Sequence, residues 1–353
     1  MDKFRIDGQK LQYHPHRVAQ WLDGKDDWET AKAIYPIYIE ISPVGACSHR
    51  CLFCAVDYIG YKSVRLQTDV LCARLREMGE LGVKSVMFAG EGEPLIHSSI
   101  NQIVSAALAS GIAVSFTTNG VLLNKLDLHG VAWVKVSLNA GRPQTYARIH
   151  GTKEKDWDIV WRNLEDAAKR KGDCTLGVQT LLLPENRDEM YLLAARCRDV
   201  GVDYLVIKPY SQHRFSLNHM DINYGGSIAA CIEQAMAAQT DNFAVIARQE
   251  SMKAVNEPIP YAKCMATPFT WAYWMANGDL YGCSAYLLDP RFNYGNLNTH
   301  TFAEVWQGEK RRANWAYVRD HLDIGECRQS CRMDKANRYL TDLVNGVPHQ
   351  EFI

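Results

Sequence analysis

Short apolar runs alternate with amphipathic stretches from residue 37 to about residue 210. Six runs rich in β-branched and aromatic residues predict strands at 37–42, 83–89, 113–117, 133–138, 175–183 and 204–208. Helical periodicity marks 70–81, 100–109, 159–171 and 189–200, with glycines at the helix ends. This alternation predicts an α/β fold with a parallel, near-continuously apolar sheet covered by helices. Six units predict a partial (β/α)6 TIM-like barrel with its site at the carboxyl ends of the strands.

Three cysteines follow the first predicted strand with the spacing C-x3-C-x2-C: Cys47, Cys51 and Cys54. Three thiolates can hold three irons of a [4Fe-4S] cluster, which leaves the fourth iron without a protein ligand. An open coordination position is where chemistry enters a metal site. A zinc site and a set of reduced structural thiols are the alternatives, although zinc usually takes four ligands from paired C-x2-C motifs.

This cysteine run, with Phe53 before its last member, resembles the signature of radical S-adenosylmethionine (SAM) enzymes. The resemblance implies that the three cysteines ligate a [4Fe-4S] cluster whose open iron is chelated by the amino and carboxylate groups of SAM. An electron passed to the sulfonium of SAM then releases a 5′-deoxyadenosyl radical. Phe53 would lie near the adenine.

A glycine-rich turn, Gly90-Glu91-Gly92-Glu93-Pro94, follows the second predicted strand. Alone it would be read as a turn. After an apolar strand and about 40 residues beyond the cysteines, it resembles the Gly-Gly-Glu-Pro motif of the same family. The resemblance implies that Gly90, Gly92, Glu93 and Pro94 meet the amino group of SAM through backbone carbonyls.

Small polar residues stand at the next strand ends, among them Thr118, Ser137 and Asn139. Such groups bind ribose hydroxyls or carboxylates, but they equally serve turns and helix caps. The resemblance favours Ser137, and Gln179 on the fifth strand, as SAM contacts.

The sixth strand leads to three candidate catalytic residues, Lys208, Tyr210 and His213. At the open edge of the barrel they would take a substrate proton or hold a hydroxyl group. The alternative for a lysine beside a proline is a solvated loop position.

Four further cysteines lie in the last part of the chain: Cys264, Cys283, Cys327 and Cys331. Asn277-Gly278 between 271–275 and 280–283 predicts a hairpin that brings the first two together. The last two are four residues apart, and a helical turn between them would point both sulfurs the same way. Four thiolates saturate a [4Fe-4S] cluster, and zinc would accept the same set. With Gly295 and a helix predicted over 301–314, this block resembles the twitch form of the SPASM domain, which carries one auxiliary [4Fe-4S] cluster.

The predicted organisation is an extension at 1–36, a radical SAM core at 37–220, a helical bridge at 221–260 with its helix at 227–238, and a twitch/SPASM-like domain at 261–353. A net charge of −1 without a basic block argues against nucleic acid as a partner. No apolar run reaches the ~18 residues of a membrane span, and no signal-peptide core follows the start. A cytoplasmic location is therefore expected. The 11 cysteines then indicate metal ligands and free thiols rather than disulfides.

The leading hypothesis is a radical SAM oxidoreductase that abstracts hydrogen from a small polar molecule, such as a carbinol of a sugar, aminocyclitol or nucleotide sugar. The auxiliary cluster would accept the electron left on the substrate, and a flavodoxin- or ferredoxin-type protein would supply the reducing electron. An epimerase, a peptide- or nucleotide-modifying enzyme and a non-catalytic metal-binding protein are the alternatives.

Overall fold

The computed structural model describes residues 4–224 and 228–352. Within them, ten strands form one sheet: β1 (Tyr38–Ile41), β2 (Ser85–Phe88), β3 (Ala113–Thr118), β4 (Trp133–Ser137), β5 (Thr175–Leu182), β6 (Tyr204–Pro209), β7 (Ala244–Ala247), β8 (Trp271–Trp274), β9 (Asp279–Tyr281) and β10 (Asn293–Asn296). Their order is β10-β9-β8-β1-β2-β3-β4-β5-β6-β7.

The helices lie between and after the strands. They are α1 (Pro15–Gly24), α2 (Trp28–Ala31), α3 (Thr68–Glu80), α4 (Ile100–Ala109), α5 (Pro143–His150), α6 (Glu154–Arg170), α7 (Met190–Val200), α8 (Ile228–Met236), α9 (Gln249–Asn256), α10 (Phe302–Trp306), α11 (Glu309–Asp320) and α12 (Asp334–Asn345).

All six predicted strands are present and pair in parallel in chain order, which gives the partial barrel expected from the sequence. Two further strands extend the parallel part, since β7 pairs with β6 and β8 pairs with β1. The segment expected to be a helical bridge therefore contributes the strand β7 beside its helices. The helix predicted over 227–238 is α8, and its first residue lies outside the described residues.

Two helical predictions differ from the structure. The helix expected over 301–314 is two helices, α10 and α11, separated at Gln307 and Gly308. Thr301 begins α10 with a capping box to Glu304, as its spacing allows. Helix α5 was not predicted, although Pro143 at its start and left-handed Gly151 at its end are typical boundary residues.

Most strands of the parallel sheet are almost continuously buried, as expected, but β4 alternates between a buried and a more exposed face. Val134 and Val136 of β4 are fully buried in the main hydrophobic core that the helices cover. Lys135 and Ser137 alternate with them and face the other side of the sheet. The helix-covered face supplies the hydrophobic stabilisation, and the second face is free to bind polar groups.

The N-terminal extension packs against the C-terminal part of the chain. Its residues Trp21, Trp28 and Ile34 share a buried cluster with Phe269 and Leu340. The extension also contacts the barrel, since Tyr35 belongs to the main hydrophobic core and Arg17 Nη2 donates to Gly82 O at 3.4 Å. It therefore joins the barrel to the last segment of the chain.

Candidate metal centres

The first three cysteines lie in a loop between β1 and α3 that is fixed to the end of α5. Arg50 N donates to His150 O at 3.1 Å and Leu52 N donates to Ile149 O at 3.0 Å. The thiols are partly buried and free of disulfides. Burial raises the pKa of Cys47 to about 11, and burial with the neighbouring Cys47 and Cys54 raises that of Cys51. Three thiols in each other's field suit a metal, which takes the place of their protons.

His150 faces this site and was not predicted from the sequence. It is fully buried, and its Nδ1 lies 3.6 Å from Cys51 Sγ. The backbone N–H of Asn139 donates to Nε2 at 3.0 Å, so Nε2 carries no proton and Nδ1 does. Burial and then His49 lower the pKa of His150, which keeps the ring neutral. His150 is therefore an N–H donor toward the sulfur of Cys51.

His49, Cys51 and His150 place their ligand atoms within 4.8 Å of one another. Such a group is itself a candidate metal site. Since both nitrogens of His150 are engaged, one with Asn139 and one with the sulfur, we assign it to the surroundings of the cysteines rather than to a separate metal.

The glycine-rich turn after β2 is packed directly against the cysteine loop. Glu93 N donates to Ala46 O at 2.8 Å. A Cβ at Gly92 would lie 2.2 Å from Val44 O, and Gly90 has a φ of +114°. Only glycine fits these two positions. Pro94 follows, buried, at the start of a short 3-10 helix.

Glu93 and Thr118 bind each other rather than facing outward. The carboxylate of Glu93 accepts from the Thr118 hydroxyl at 2.6 Å and from Asn119 N at 2.8 Å. Burial raises the pKa of Glu93, and these donors oppose the shift. The two side chains thus fix the end of the third strand beside the turn.

Asn139 is also engaged within the protein. Its Oδ1 accepts from Leu181 N and its carbonyl accepts from Asn186 Nδ2 at 2.9 Å. Ser137 and Gln179 are paired in register on β4 and β5, and both side chains are partly exposed on the polar face of the sheet. Their role as SAM contacts stays a prediction. The aromatic ring of Phe53 lies edge-on to His150 at 5.4 Å.

The four later cysteines line one cavity together. The predicted hairpin is present, with β8 and β9 antiparallel and Gly278 at a φ of +98°. Burial raises the pKa of Cys283, and neighbouring Cys264 and Cys331 raise it further. Asn337 Nδ2 donates to Cys264 Sγ at 3.5 Å. A fully thiolate, disulfide-free set at this spacing suits a [4Fe-4S] cluster.

The local geometry at the end of this set differs from the prediction. Cys327 and Cys331 are not joined by a helical turn, because the chain between them is irregular and Ser330 has a φ of +47°. Tyr286 Oη lies 3.5 Å from Cys327 Sγ. The sulfurs converge through loops that side chains of neighbouring segments hold in place.

The cavity has a volume of about 350 Å³ and connects the four cysteines to the polar face of the sheet, where Gln179 and Lys208 line it. Of the three predicted catalytic residues, only Lys208 lies there. Tyr210 donates its hydroxyl to Gln212 Oε1 at 2.8 Å and lines a separate groove. His213 is 1% exposed and stacks on Tyr58 at 5.2 Å, and burial lowers its pKa to about 4.

The segments that carry the two cysteine sites are also joined by one buried carboxylate, which the sequence did not identify. Glu91 of the glycine-rich turn is buried, and its Oε1 accepts from Ala276 N, in the β8–β9 turn, at 2.6 Å. The sequence marks Glu91 only as the variable position of its motif. Its partner is 185 residues away, so no local signal identifies it.

Known families match both cysteine sites. Residues 41–197 match the Radical SAM superfamily, and residues 264–332 match SPASM, an iron-sulfur cluster-binding domain. The fold and the first three cysteines thus define a radical SAM enzyme, with SAM and a [4Fe-4S] cluster as cofactors. With its second domain, the chain belongs to the branch of that family that carries a SPASM-type auxiliary cluster domain.

The curated relatives include GTP 3′,8-cyclases. The protein of Chlorobaculum tepidum is 30% identical over 186 residues, which are 50% of this chain and 55% of that protein. A probable GTP 3′,8-cyclase of Methanosarcina acetivorans is 31% identical over 181 residues, 49% of this chain and 51% of the relative. This chain spans about half the length of the curated relatives it matches.

Solved structures show the same fold. SuiB of Streptococcus suis bound to S-adenosylmethionine has a TM-score of 0.63 at 17% identity, covering 81% of this chain and 68% of that one. A second structure of SuiB has a TM-score of 0.64 at 17% identity, and the match covers 96% of this chain and 80% of that one. Among the described residues, no helix is long and apolar enough to span a membrane.

Proposed function

We propose that this enzyme removes a hydrogen atom from a small polar substrate, and that the net reaction is an oxidation. The substrate binds in the cavity between the four later cysteines and the polar face of the sheet, called the central cavity below. When bound, the first cluster supplies the electron that splits SAM and so provides the hydrogen-abstracting radical. The observation that carries the proposal is the cavity itself, because the four-cysteine site and the polar face of the sheet line the same space. A substrate there lies within reach of an auxiliary cluster that can accept its remaining electron, while the proton lost from the oxidised group goes to a basic side chain or to water.

The residues of the chain have separable tasks in this proposal. The backbone of the Gly90–Pro94 turn, Ser137 and Gln179 hold SAM against the open iron. Lys208 contacts the substrate from β6. The positions of Tyr210 and His213, outside the cavity lining, favour supporting roles for them. A flavodoxin- or ferredoxin-type donor supplies the first electron.

Anaerobic reconstitution followed by turnover tests the proposal. Two [4Fe-4S] clusters require about eight irons per chain. SAM and a reductant should then give 5′-deoxyadenosine. Cys51→Ala should abolish this product. Cys283→Ala should retain it while stopping substrate oxidation, and Cys174→Ala, a buried cysteine outside both sites, is the matched control. Absence of 5′-deoxyadenosine from the fully loaded enzyme would contradict the proposal.

The relatives favour a second candidate, the modification of a nucleotide. Their names specify GTP 3′,8-cyclases, at about 30% identity over half of this chain. Incubation with GTP, SAM and reductant tests this directly, because a cyclised nucleotide is a rearranged isomer rather than an oxidised product. Solvent deuterium in recovered substrate would instead indicate epimerisation.

A further inference from the structure

The central cavity carries more positive than negative charge. The cationic side chains that line it are Lys135, Lys208, Arg248, Arg328 and Arg332. Arg332 pairs with Glu40, Nη2 to Oε2 at 2.7 Å, and Arg248 pairs with Asp7, Nε to Oδ1 at 3.1 Å. Within the part of the chain that the structure describes, the other three cations form no direct ion pair with a carboxylate, although Glu40 lies close enough to act on Lys135 and Lys208.

The arginine among these three, Arg328, lies beside the four-cysteine site. Arg328 follows Cys327, and its Nε and Nη2 donate to the hydroxyl and carbonyl of Ser211 at 2.8 and 2.7 Å. A cluster with four thiolate ligands is anionic, so a fixed guanidinium beside it offsets cluster charge. The four-cysteine site accounts for the position of Arg328 but not for the two lysines in the cavity.

Lys135 and Lys208 project from β4 and β6 onto the same polar face. The ammonium of Lys135 lies over the Trp133 ring at 5.3 Å, and among the described residues neither ammonium group forms a hydrogen bond or a direct ion pair. Burial, and then Lys135 among the nearby cations, lower the pKa of Lys208. Glu40, buried on β1, is the carboxylate whose charge acts on both lysines, and it is already paired with Arg332. Two partly buried ammonium groups that share one engaged carboxylate cost free energy. An anionic ligand would recover that free energy.

We propose that Lys135 and Lys208 bind a doubly negative group of the substrate, either a phosphate ester or a pair of carboxylates. The metal end of the cavity would then face the part of the substrate that reacts. Gln179 lines the same cavity from β5, the strand between β4 and β6. The inference rests on the proposed function in taking the ligand to be the substrate, and it adds the charge that the substrate carries.

Binding to the reconstituted full-length protein, measured by calorimetry without reductant, tests the site. Inorganic phosphate and malonate are the probes and glycerol is the neutral control. We expect phosphate or malonate to bind and glycerol not to bind, and the probe that binds distinguishes the two anion classes. Lys135→Met and Lys208→Met should each weaken binding by roughly tenfold or more. Lys155→Met, at an exposed lysine of α6, should not. Equal binding by all three variants, or no anion binding by the wild type, would overturn the inference.

A second measurement uses only the wild-type protein, so it does not depend on the variants folding. Phosphate or malonate should slow the acylation of Lys135 and Lys208 by an N-hydroxysuccinimide ester and leave Lys155 unaffected. Unchanged labelling of the two lysines would overturn the inference. Anion binding by an enzyme that forms no 5′-deoxyadenosine would keep the anion site and contradict the proposed function. The reverse result would keep the function and contradict the site.

Discussion

His150 connects three parts of the first metal site. It ends α5, receives the backbone N–H of Asn139 after β4, and directs its own N–H at Cys51. Hydrogen bonds to ligand sulfurs are among the determinants of iron-sulfur reduction potentials, because they stabilise the more negative, reduced cluster. The identity of the proton-bearing nitrogen follows from its partners rather than from the ring alone.

Replacing His150 should therefore make the SAM-binding cluster harder to reduce. We expect His150→Ala to shift the midpoint potential of the cluster negatively by on the order of 20–60 mV, because one weak hydrogen bond to a charged group is lost. Redox titration followed by electron paramagnetic resonance measures this shift. His150→Gln, which retains an N–H donor, should recover part of it, and His129→Ala at an exposed position should show none. A potential unchanged in His150→Ala would contradict the role.

Lys135 should reduce the stability of the ligand-free enzyme. Burial, and then Arg332 and Arg248, lower its pKa to about 8, while Glu40 opposes the shift. An unfolded lysine titrates near 10.4, so the folded state disfavours the ammonium form. This cost is fully present below about pH 8 and diminishes as the pH rises toward 10.

Lys135→Met should consequently stabilise the ligand-free protein at pH 7, by roughly 1–3 kcal/mol in the free energy of unfolding. Thermal midpoints of matched, equally loaded samples measure the difference. The advantage of the variant should shrink between pH 8 and 10, where wild-type Lys135 becomes neutral. A variant less stable than the wild type at pH 7 would contradict a destabilising buried charge.

At the scale of elements, the sequence predicted those features that short stretches of the chain determine. The six strands, the hairpin at Asn277-Gly278 and both cysteine sets are local in sequence, and all are present. Strand β7 is only four residues long, and the pairing of β8 with β1 joins residues more than 200 positions apart. The contact of Glu91 with Ala276 depends on the pairing of β8 with β1, and the contact of His150 with Cys51 joins residues 99 positions apart. No short-range spacing therefore identified them.

Glu91 shows what such a long-range contact contributes. Its buried carboxylate accepts the backbone N–H of Ala276 and ties the glycine-rich turn to the β8–β9 hairpin. We expect Glu91→Ala to lower the free energy of unfolding by about 1–3 kcal/mol, since it leaves a buried N–H without an acceptor. Thermal unfolding under nitrogen measures this loss. Glu91→Gln keeps an acceptor oxygen and should lose less, and Glu185→Ala at an exposed loop is the control. Equal midpoints for Glu91→Ala and Glu185→Ala would show that this contact is not stabilising.

At the scale of the whole molecule, a nearly neutral chain concentrates positive charge in its interior. The net charge of −1 hides the group of cations around the central cavity. Composition alone therefore argued against nucleic acid but gave no information about the charge of a small substrate. Lys135 and Lys208 lie on the second face of the sheet, and the three arginines reach the cavity from segments outside the strands.

Arg311 of α11, a fully buried side chain, also connects the first and last segments of the chain. Its guanidinium donates to the carbonyls of Pro268, Trp306 and Ala31 and lies 4.0 Å over the Trp306 ring. It thereby holds α2, α10 and the loop before β8 in contact. Since that loop follows Cys264, the same side chain helps to fix the frame of the auxiliary site.

Arg311→Met should therefore unfold more readily than any surface variant of the same helix. It fills much of the same volume but leaves buried carbonyls without donors, and we expect a loss of about 3–5 kcal/mol in the free energy of unfolding. Arg312→Met, the next residue and an exposed one, should change the thermal midpoint little. Iron content after reconstitution gives an independent readout, because a loosened frame should lower occupancy of the four-cysteine site before that of the first cluster. Equal midpoints and equal iron content in the two variants would show that the segments are held together without this guanidinium.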